Sequence, residues 1–519
     1  MFLKHGGVRS GIGNLRSAAP AVLVFIVSLL FSGCEKILDV HSSHAVNESN
    51  FWNSHNDTRA ALLGVYGLTR AALANNNAHW MYGELRDGDF IALKRQDLDA
   101  VISGDLKAQY PLLNDLSNWR RFYAIINAAN MFLEHVQEVK DRDPKYSDQN
   151  MRVDIAQIRV LRAFAYFYMV RIWGDVPFVT TSHDGEFADK GRMDQKSILA
   201  FVKQELKTAA RDLPYKYSAG DEQQQGDYYN EDGARWMGVL ARKLTAYMLL
   251  AHVAAWEGKY SEVATYTKFI MDNYSKGGHG FVSTEDLTRP GGFFNDKKDN
   301  FFWAFNFVWG HSDASFSGHI EELTLAKPIT DKALPDIYVP KDSILSIFDM
   351  PKDERFSLDT LTGEPTSERY FVNFNSTVPI FDKIKVLQGG STDPDFRIYA
   401  SAIVFTRLEE IALLRAEALT VIGDLGGAVT LLNQIRDLRG MDHYDASKEG
   451  DDVLQLIFEA RRRELMGEGW RWYDLIRYHK IKQDNPAFTQ LIQSGGIYWP
   501  VSEDILQQND LIEQNAYWK

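Results

Sequence analysis

The sequence predicts a mainly α protein, with tetratricopeptide-like helix pairs packed with a loop-rich, variable region that contains short strands. Three observations predict it. Apolar residues recur at steps of three and four over long stretches at both ends of the chain. Two of the resulting helix pairs share a Gly-centred junction. Between them, from about Ser275 to Ala402, the pattern gives way to Gly, Pro, Asp and Ser punctuation around short aromatic or β-branched runs. With 519 residues, 45% of them hydrophobic and 24% charged, the chain has the balance of a folded protein with a large core.

The N-terminus carries the first specific signal. Cys34 is the one cysteine of the chain. Lys4, Arg9 and Arg16 precede an apolar run from Ala18 to Phe31, which is too short to span a bilayer comfortably, and Ser32 and Gly33 stand just before the cysteine. This arrangement resembles a bacterial lipoprotein signal, in which residues 1–33 are cleaved and Cys34 becomes the lipidated first residue. An ordinary secretory signal followed by an incidental thiol is the alternative.

In the mature chain, Asn150 to Trp173 is the clearest helix, with Ile158, Leu161, Ala165, Tyr168 and Ile172 along one stripe, stopped by Gly174 and Pro177. Similar patterns predict helices from about Asp57 to Ala74, Ser117 to Lys140, Ser197 to Asp212, Gly233 to Trp256, Ser261 to Asn273, Val404 to Ile422, Leu425 to Arg439 and Asp451 to Met466. Gly258-Lys259-Tyr260 with Ala264, and Gly423-Asp424-Leu425 with Ala428, resemble the tetratricopeptide turn. In that turn Gly releases the first helix, the residue two later plugs the interhelical angle, and the small Ala permits close approach. The two copies lie far apart in sequence, which predicts separate helix pairs with insertions between them. The intervening segment is too long for a plain connection and too aromatic for disorder, so it is the expected place for a binding surface. The predicted organisation is one body from 34 to 519, made of an N-terminal helical part (34–274), the variable region (275–402) and a C-terminal helical part (403–519).

A set of motifs then resembles a known family. They are Phe51-Trp52 with the helix from Asp57, Trp119 to Asn130, Ile158 to Ala163 through Trp173-Gly174-Asp175-Val176-Pro177, Arg415-Ala416-Glu417-Ala418, Leu432 to Arg436, Arg461 to Asp474 (RRRELMGEGWRWYD), and Trp499-Pro500-Val501 with Asn515. In this order and approximate spacing, behind a lipoprotein signal, they resemble the SusD/RagB family of outer-membrane nutrient-binding lipoproteins. The resemblance implies a mostly helical fold, no enzymatic activity and no cofactor. It also implies a lipid-anchored place on the outer membrane, facing the cell exterior. There the protein would capture an oligosaccharide or other nutrient and pass it to a SusC-like TonB-dependent barrel. A helical scaffold for protein partners and a surface glycosidase are the alternatives. After Cys34 only Glu35 and Asp39 supply acid, so a surface-export signal is less developed than the lipidation signal.

Charge and motif content exclude other classes. Acidic residues outnumber basic ones 70 to 57, and an acidic surface repels the phosphate backbone of nucleic acid. No HExxH, nucleophile elbow or phosphate-cradling glycine loop is present, the histidines are scattered, and the two aspartates of Asp87-Gly88-Asp89 fall short of a calcium set. Glu464 and Glu468 lie four residues apart on one helical face, but the arginines around them would keep both ionised. Ion pairs of Glu464, Arg471 and Asp474 that hold the last helices to the body are the expected role.

Sugar rings stack their C–H faces on aromatic side chains and need amides or charged groups for their hydroxyls. Asn75 to Tyr82, directly after the first mature helix, offers both, with Trp80 as the stacking candidate and Asn76 and Asn77 beside it. Trp80 as a plug of the scaffold is the alternative. In the run Phe301 to His311, Trp303, Phe305, Phe307 and Trp309 alternate on one strand face. Trp309 is expected at its exposed end. Arg369 and Tyr370, from the same variable region, complete the candidate set. No metal site is expected.

Overall fold

Ten helices of twelve residues or more carry the architecture among the described residues: α1 (His55–Ala74), α2 (Arg120–Arg142), α3 (Asp148–Trp173), α4 (Gln195–Asp212), α5 (Lys243–Trp256), α6 (Tyr260–Asn273), α7 (Leu408–Val421), α8 (Leu425–Leu438), α9 (Val453–Leu465) and α10 (Arg471–Lys482). The structure is a computed structural model that describes residues 51–182, 189–218, 220–224, 226–295, 300–308, 317–388 and 398–519. Residues from Trp52 to Lys519 form one compact unit. None of the described helices is long and apolar enough to cross a membrane. The signal segment, Cys34 and Trp309 lie outside the described residues.

The helices pack in series. α1 lies against α2, α2 against α3, and so on to α6, which then packs on α7. α7 contacts both α8 and α9, and α9 contacts α10. The two tetratricopeptide-like pairs, separate in sequence, are therefore neighbours in space, and the variable region departs from the stack and returns to it. Ala251, Ala254, Ala255, Tyr260, Val263, Leu414 and Ala418 form one core cluster across this contact. Small residues on α5 and α7 let the helices approach closely.

The two turns differ in how the angle is filled. Gly258 and Gly423 both adopt positive φ, at 73° and 92°. Tyr260 is buried and its hydroxyl donates to Glu417 Oε1 at 3.1 Å, so it plugs the first angle and ties the pairs together. Leu425 is 49% exposed and does not plug the second. There Leu419 reaches across from α7, so close that a Cβ on Gly427 would lie 3.0 Å from its Cδ1.

Two predicted helices start later than their periodicity implies. The segment from Gly233 holds only a short 3-10 turn, passes Gly238 at φ 70°, and reaches α5 at Lys243. Val404 to Thr406, read as the start of a helix, instead belongs to a strand, Ile403–Thr406, paired antiparallel with Trp303–Phe305, as its β-branched and aromatic residues favour. That short strand is buried on both faces, so the aromatic alternation is core on both sides. Elsewhere the region forms two-stranded antiparallel ribbons, including Ser357–Leu358 with Pro365–Ser367 and Phe371–Val372 with Ile380–Phe381.

Candidate functional site

Beyond α1 the chain must turn sharply, and two asparagines make the turn. Asn76 (φ 62°, ψ 25°) and Asn77 (φ 51°, ψ 34°) adopt the left-handed conformation, which Asn tolerates better than most residues. Each asparagine here is tied to a different element. Arg121 Nη1 donates to the Asn75 carbonyl at 2.9 Å, and the Asn76 amide donates to Asp115 Oδ2 at 3.2 Å. The Asn77 amide donates to the His319 carbonyl at 2.8 Å and to Glu322 Oε2 at 3.2 Å.

The end of α1 and His319 link this turn indirectly to the second segment nominated from sequence. Arg70 on α1 donates to the Asn306 carbonyl at 2.9 Å, and its guanidinium lies 5.0 Å from the centre of the Phe307 ring. Phe307 meets His319 edge to face with centroids 4.4 Å apart. Gly318 packs so tightly on the end of α1 that a Cβ would stand 2.8 Å from the Ala74 carbonyl oxygen. In this junction Arg70, Asn75, Asn76 and Glu322 are exposed or half-exposed, while Asn77, Asn306, Phe307 and Gly318 to Glu321 are buried.

Its polar groups are not all used. Asn306 is 8% exposed, and neither its side-chain oxygen nor its nitrogen has a hydrogen-bond partner. His319 Nε2, on the ring that meets Phe307, is likewise unpaired. An unpaired buried amide costs about 1–3 kcal/mol, a cost that a water molecule or a polar ligand group removes. Burial pushes His319 down to about 4 and leaves it neutral at physiological pH. Burial pushes Glu321 up to about 7, opposed by a hydrogen bond from the Ser401 hydroxyl at 2.7 Å. Glu322 is also raised by burial, against the amide of Asn77 and the N–H of Gly318.

The other nominated residues separate. Trp80 is 3% exposed, and its indole N–H donates to the Gly467 carbonyl at 2.9 Å. It offers no open face for stacking, and the scaffold alternative is the one its geometry fits. Tyr370 is fully buried, with its hydroxyl toward the Glu464 carbonyl at 3.4 Å and Lys383 Nζ 4.8 Å from its ring centre, so it too is a packing residue. Arg369 is exposed and makes no hydrogen bond or ion pair with a described residue. Asn77 is buried and positions the surface, while Asn76 is half-exposed on it. Asn306 was missed by the sequence reading, although its signal is visible as the single polar residue inside Phe301 to Val308.

The charged C-terminal motif is structural. Glu464 receives Arg407 Nη1 at 2.6 Å, Arg439 Nη2 at 2.6 Å and Arg355 Nη1 at 2.9 Å. Burial pushes its carboxyl up, and Arg439, Arg407 and Arg355 outweigh it and hold the group well below the usual range. Glu468 is held down in the same way by Arg407 and Lys383 against burial. Neither carboxyl is poised as an acid, and both are spent on bonds to the core. Asp474 bonds Arg461 and Arg477, whereas Arg471 comes no closer to a carboxylate than 3.7 Å, from Asp89. Asp89 itself accepts from Arg462 at 2.9 Å, and no group of acids, histidines and cysteines suited to a metal occurs among the described residues.

Comparison with known proteins agrees with this fold. The sequence model described as "SusD family" matches residues 373–518, and one described as "Starch-binding associating with outer membrane" matches residues 94–224. A SusD superfamily protein from Bacteroides thetaiotaomicron VPI-5482, known as a crystal structure, is 49% identical, with a TM-score of 0.82 over 90% of this chain and 99% of that one. SusD-like protein P38 of Formosa agariphila is 23% identical over 97% of this chain and 99% of its own length. The structure of B. fragilis NanU shares the fold, with a TM-score of 0.70 at 16% identity over 92% of this chain and all of that one. The helical stack, the short ribbons of the variable region and these matches along nearly the whole chain establish that the protein belongs to the SusD family.

Proposed function

We propose that this protein is a glycan-binding lipoprotein of the outer membrane, anchored through Cys34, that captures an oligosaccharide and delivers it to a SusC-like TonB-dependent transporter. Capture takes place at the junction of Arg70, Asn76, Asn306 and Phe307; Trp309, outside the described residues, is kept from the sequence as the stacking aromatic, and Arg369 as a polar contact. It proceeds by binding, with no bond of the sugar broken. The observation that carries this reading is the unpaired Asn306 amide, set beside Phe307 and the Asn75 to Asn77 turn. An apolar face next to unspent amide donors and acceptors is what a sugar ring and its hydroxyls require. The family description of starch binding in association with the outer membrane, and the lipoprotein-like N-terminus, support the ligand class and the location.

The test is a glycan array with the purified protein, followed by calorimetry and product analysis on each glycan that binds. Saturable binding with the glycan recovered intact is expected. Release of shorter sugars would overturn the binding-only reading, and absence of any glycan ligand would overturn the ligand class.

A further inference from the structure

A groove of about 190 Å³ separates α9 from α10, on residues that the glycan surface does not use. Phe458 and Tyr478 line it and meet edge to face with centroids 5.2 Å apart, and Leu475 adds to this apolar wall. Between them the groove presents Arg462, Arg471 and His479.

These polar groups are unequally satisfied. Arg462 is bound to Asp89 through Nε at 2.9 Å. Arg471 makes no hydrogen bond with any described residue, and its Nε is buried without a partner. The nearest carboxylate to it, Asp89 Oδ2, stands at 3.7 Å, beyond hydrogen-bond reach. His479 Nδ1 is buried and unpaired as well, 3.7 Å from Asp484 Oδ1. The Tyr478 hydroxyl also has no partner among the described residues. Arg471, the Tyr478 hydroxyl and the His479 ring thus line one groove with no hydrogen bond from any of the three to a described residue, the carboxylates of Asp89 and Asp484 standing at 3.7 Å from Arg471 and His479.

The carboxylates that also face it leave room for an anion. Asp474 is taken up by Arg461 at 2.9 Å and by Arg477 at 2.8 Å. Glu459, at the rim, accepts the Gln455 amide at 2.8 Å, and its charge, with those of Asp89 and Asp484 at 3.7 Å from Arg471 and His479, opposes an incoming anion, so binding rests on directed hydrogen bonds from the donors more than on net charge. Burial lowers the proton affinity of Arg471, a cost that an acceptor in the groove relieves.

We propose that this groove binds a small oxyanion, a carboxylate, sulfate or phosphate group, with Arg471 as the principal contact and the Tyr478 hydroxyl and His479 ring as further donors. Phe458 and Leu475 leave an apolar wall for a ring that carries the anion, as in an acidic sugar.

The test is calorimetric titration of the purified protein with sodium glucuronate, sulfate and phosphate, each at an ionic strength held constant with chloride. Saturable binding of at least one is expected. Arg471→Gln should weaken it at least tenfold and Tyr478→Phe a few-fold. Leu475→Trp keeps every charge and fills the groove, so it should also weaken binding at least tenfold and decides the matter if Arg471→Gln does not fold. Tighter binding of glucuronate identifies an acidic sugar, and tighter binding of sulfate or phosphate an inorganic oxyanion. No saturable binding up to about 10 mM of any of the three, or wild-type affinity in Leu475→Trp, overturns the proposal. The groove shares no residue with the glycan surface, so failure of either site leaves the test of the other intact.

Discussion

The carboxylate of Glu84 accepts the backbone N–H of Gly469 at 2.8 Å, across 385 residues of sequence. Its other oxygen accepts from Gly467 at 2.7 Å, so one buried side chain clasps the GEG turn. Gly83 beside it approaches so closely that a Cβ would sit 2.0 Å from the Gly469 carbonyl oxygen. This clasp joins the segment after α1 to the C-terminal motif.

The clasp makes stability depend on pH. Burial raises the Glu84 pKa from 4.5 to about 7, against the hydrogen bonds from Gly467 and Gly469. Within that window the folded chain keeps a proton that the unfolded chain releases. The contribution of Glu84 is therefore full below 4.5 and is lost as pH rises through about 7. Glu84→Gln, which puts an amide N–H₂ against one of the two glycine N–H groups, should be less stable than wild type at pH 5. The gap should narrow by on the order of 3 kcal/mol by pH 8. Urea denaturation of both proteins across this range measures it, and a gap that stays constant would contradict the raised pKa.

Trp80 tests the same junction by packing. Trp80→Ala should cost about 3–5 kcal/mol of stability by opening a cavity and orphaning the Gly467 carbonyl. Thermal melting reads the loss. Trp80→Phe, which keeps most of the volume, should retain more than half of it.

Arg171 poses a different question. It is 3% exposed and has no hydrogen bond or ion pair with a described residue, yet its guanidinium lies 4.0 Å from the Tyr473 ring centre and 4.5 Å from that of Phe167. Aromatic faces compensate this charge at short range, at about 2 kcal/mol, and the Glu410 carboxylate adds to them from farther away. Arg171→Met should therefore be within about 1 kcal/mol of wild type or more stable, because the cost of burying the cation disappears with it. Arg171→Lys, which keeps the charge without the flat face, should be the less stable of the two. Denaturation midpoints that rank them the other way would show that the charge has a partner.

Much of the helical fold was legible because an amphipathic stripe is a local signal. Asn150 to Trp173, with Ile158, Leu161, Ala165, Tyr168 and Ile172 at steps of three and four, was read as a helix for that reason and lies within α3. The strand at Ile403–Thr406 was not legible, because its pairing with Trp303–Phe305 lies about a hundred residues away, and a short β-branched run before a helix reads as that helix's first turn. The candidate site divides the same way. The segments Asn75 to Tyr82 and Phe301 to His311 were identified by residue type, and in the described part of the second, Asn306 is tied to Arg70 on the helix that precedes the first. Which aromatics face outward was hidden. Trp80 and Tyr370 each carry an apolar body with one polar tip, which suits a sugar platform and a core plug equally. Their burial is decided by carbonyls at Gly467 and Glu464, 387 and 94 residues distant. Asn306 was passed over because its neighbours are core.

The most direct test of glycan capture at this surface is Asn306→Ala, measured for affinity to the glycan that the wild type binds and for melting temperature in the same preparation. The affinity should fall about tenfold or more, the cost of losing a buried hydrogen-bonding amide from the site, while the melting temperature stays level or rises because an unpaired polar group has left the core. Wild-type affinity in a folded Asn306→Ala protein would contradict the account.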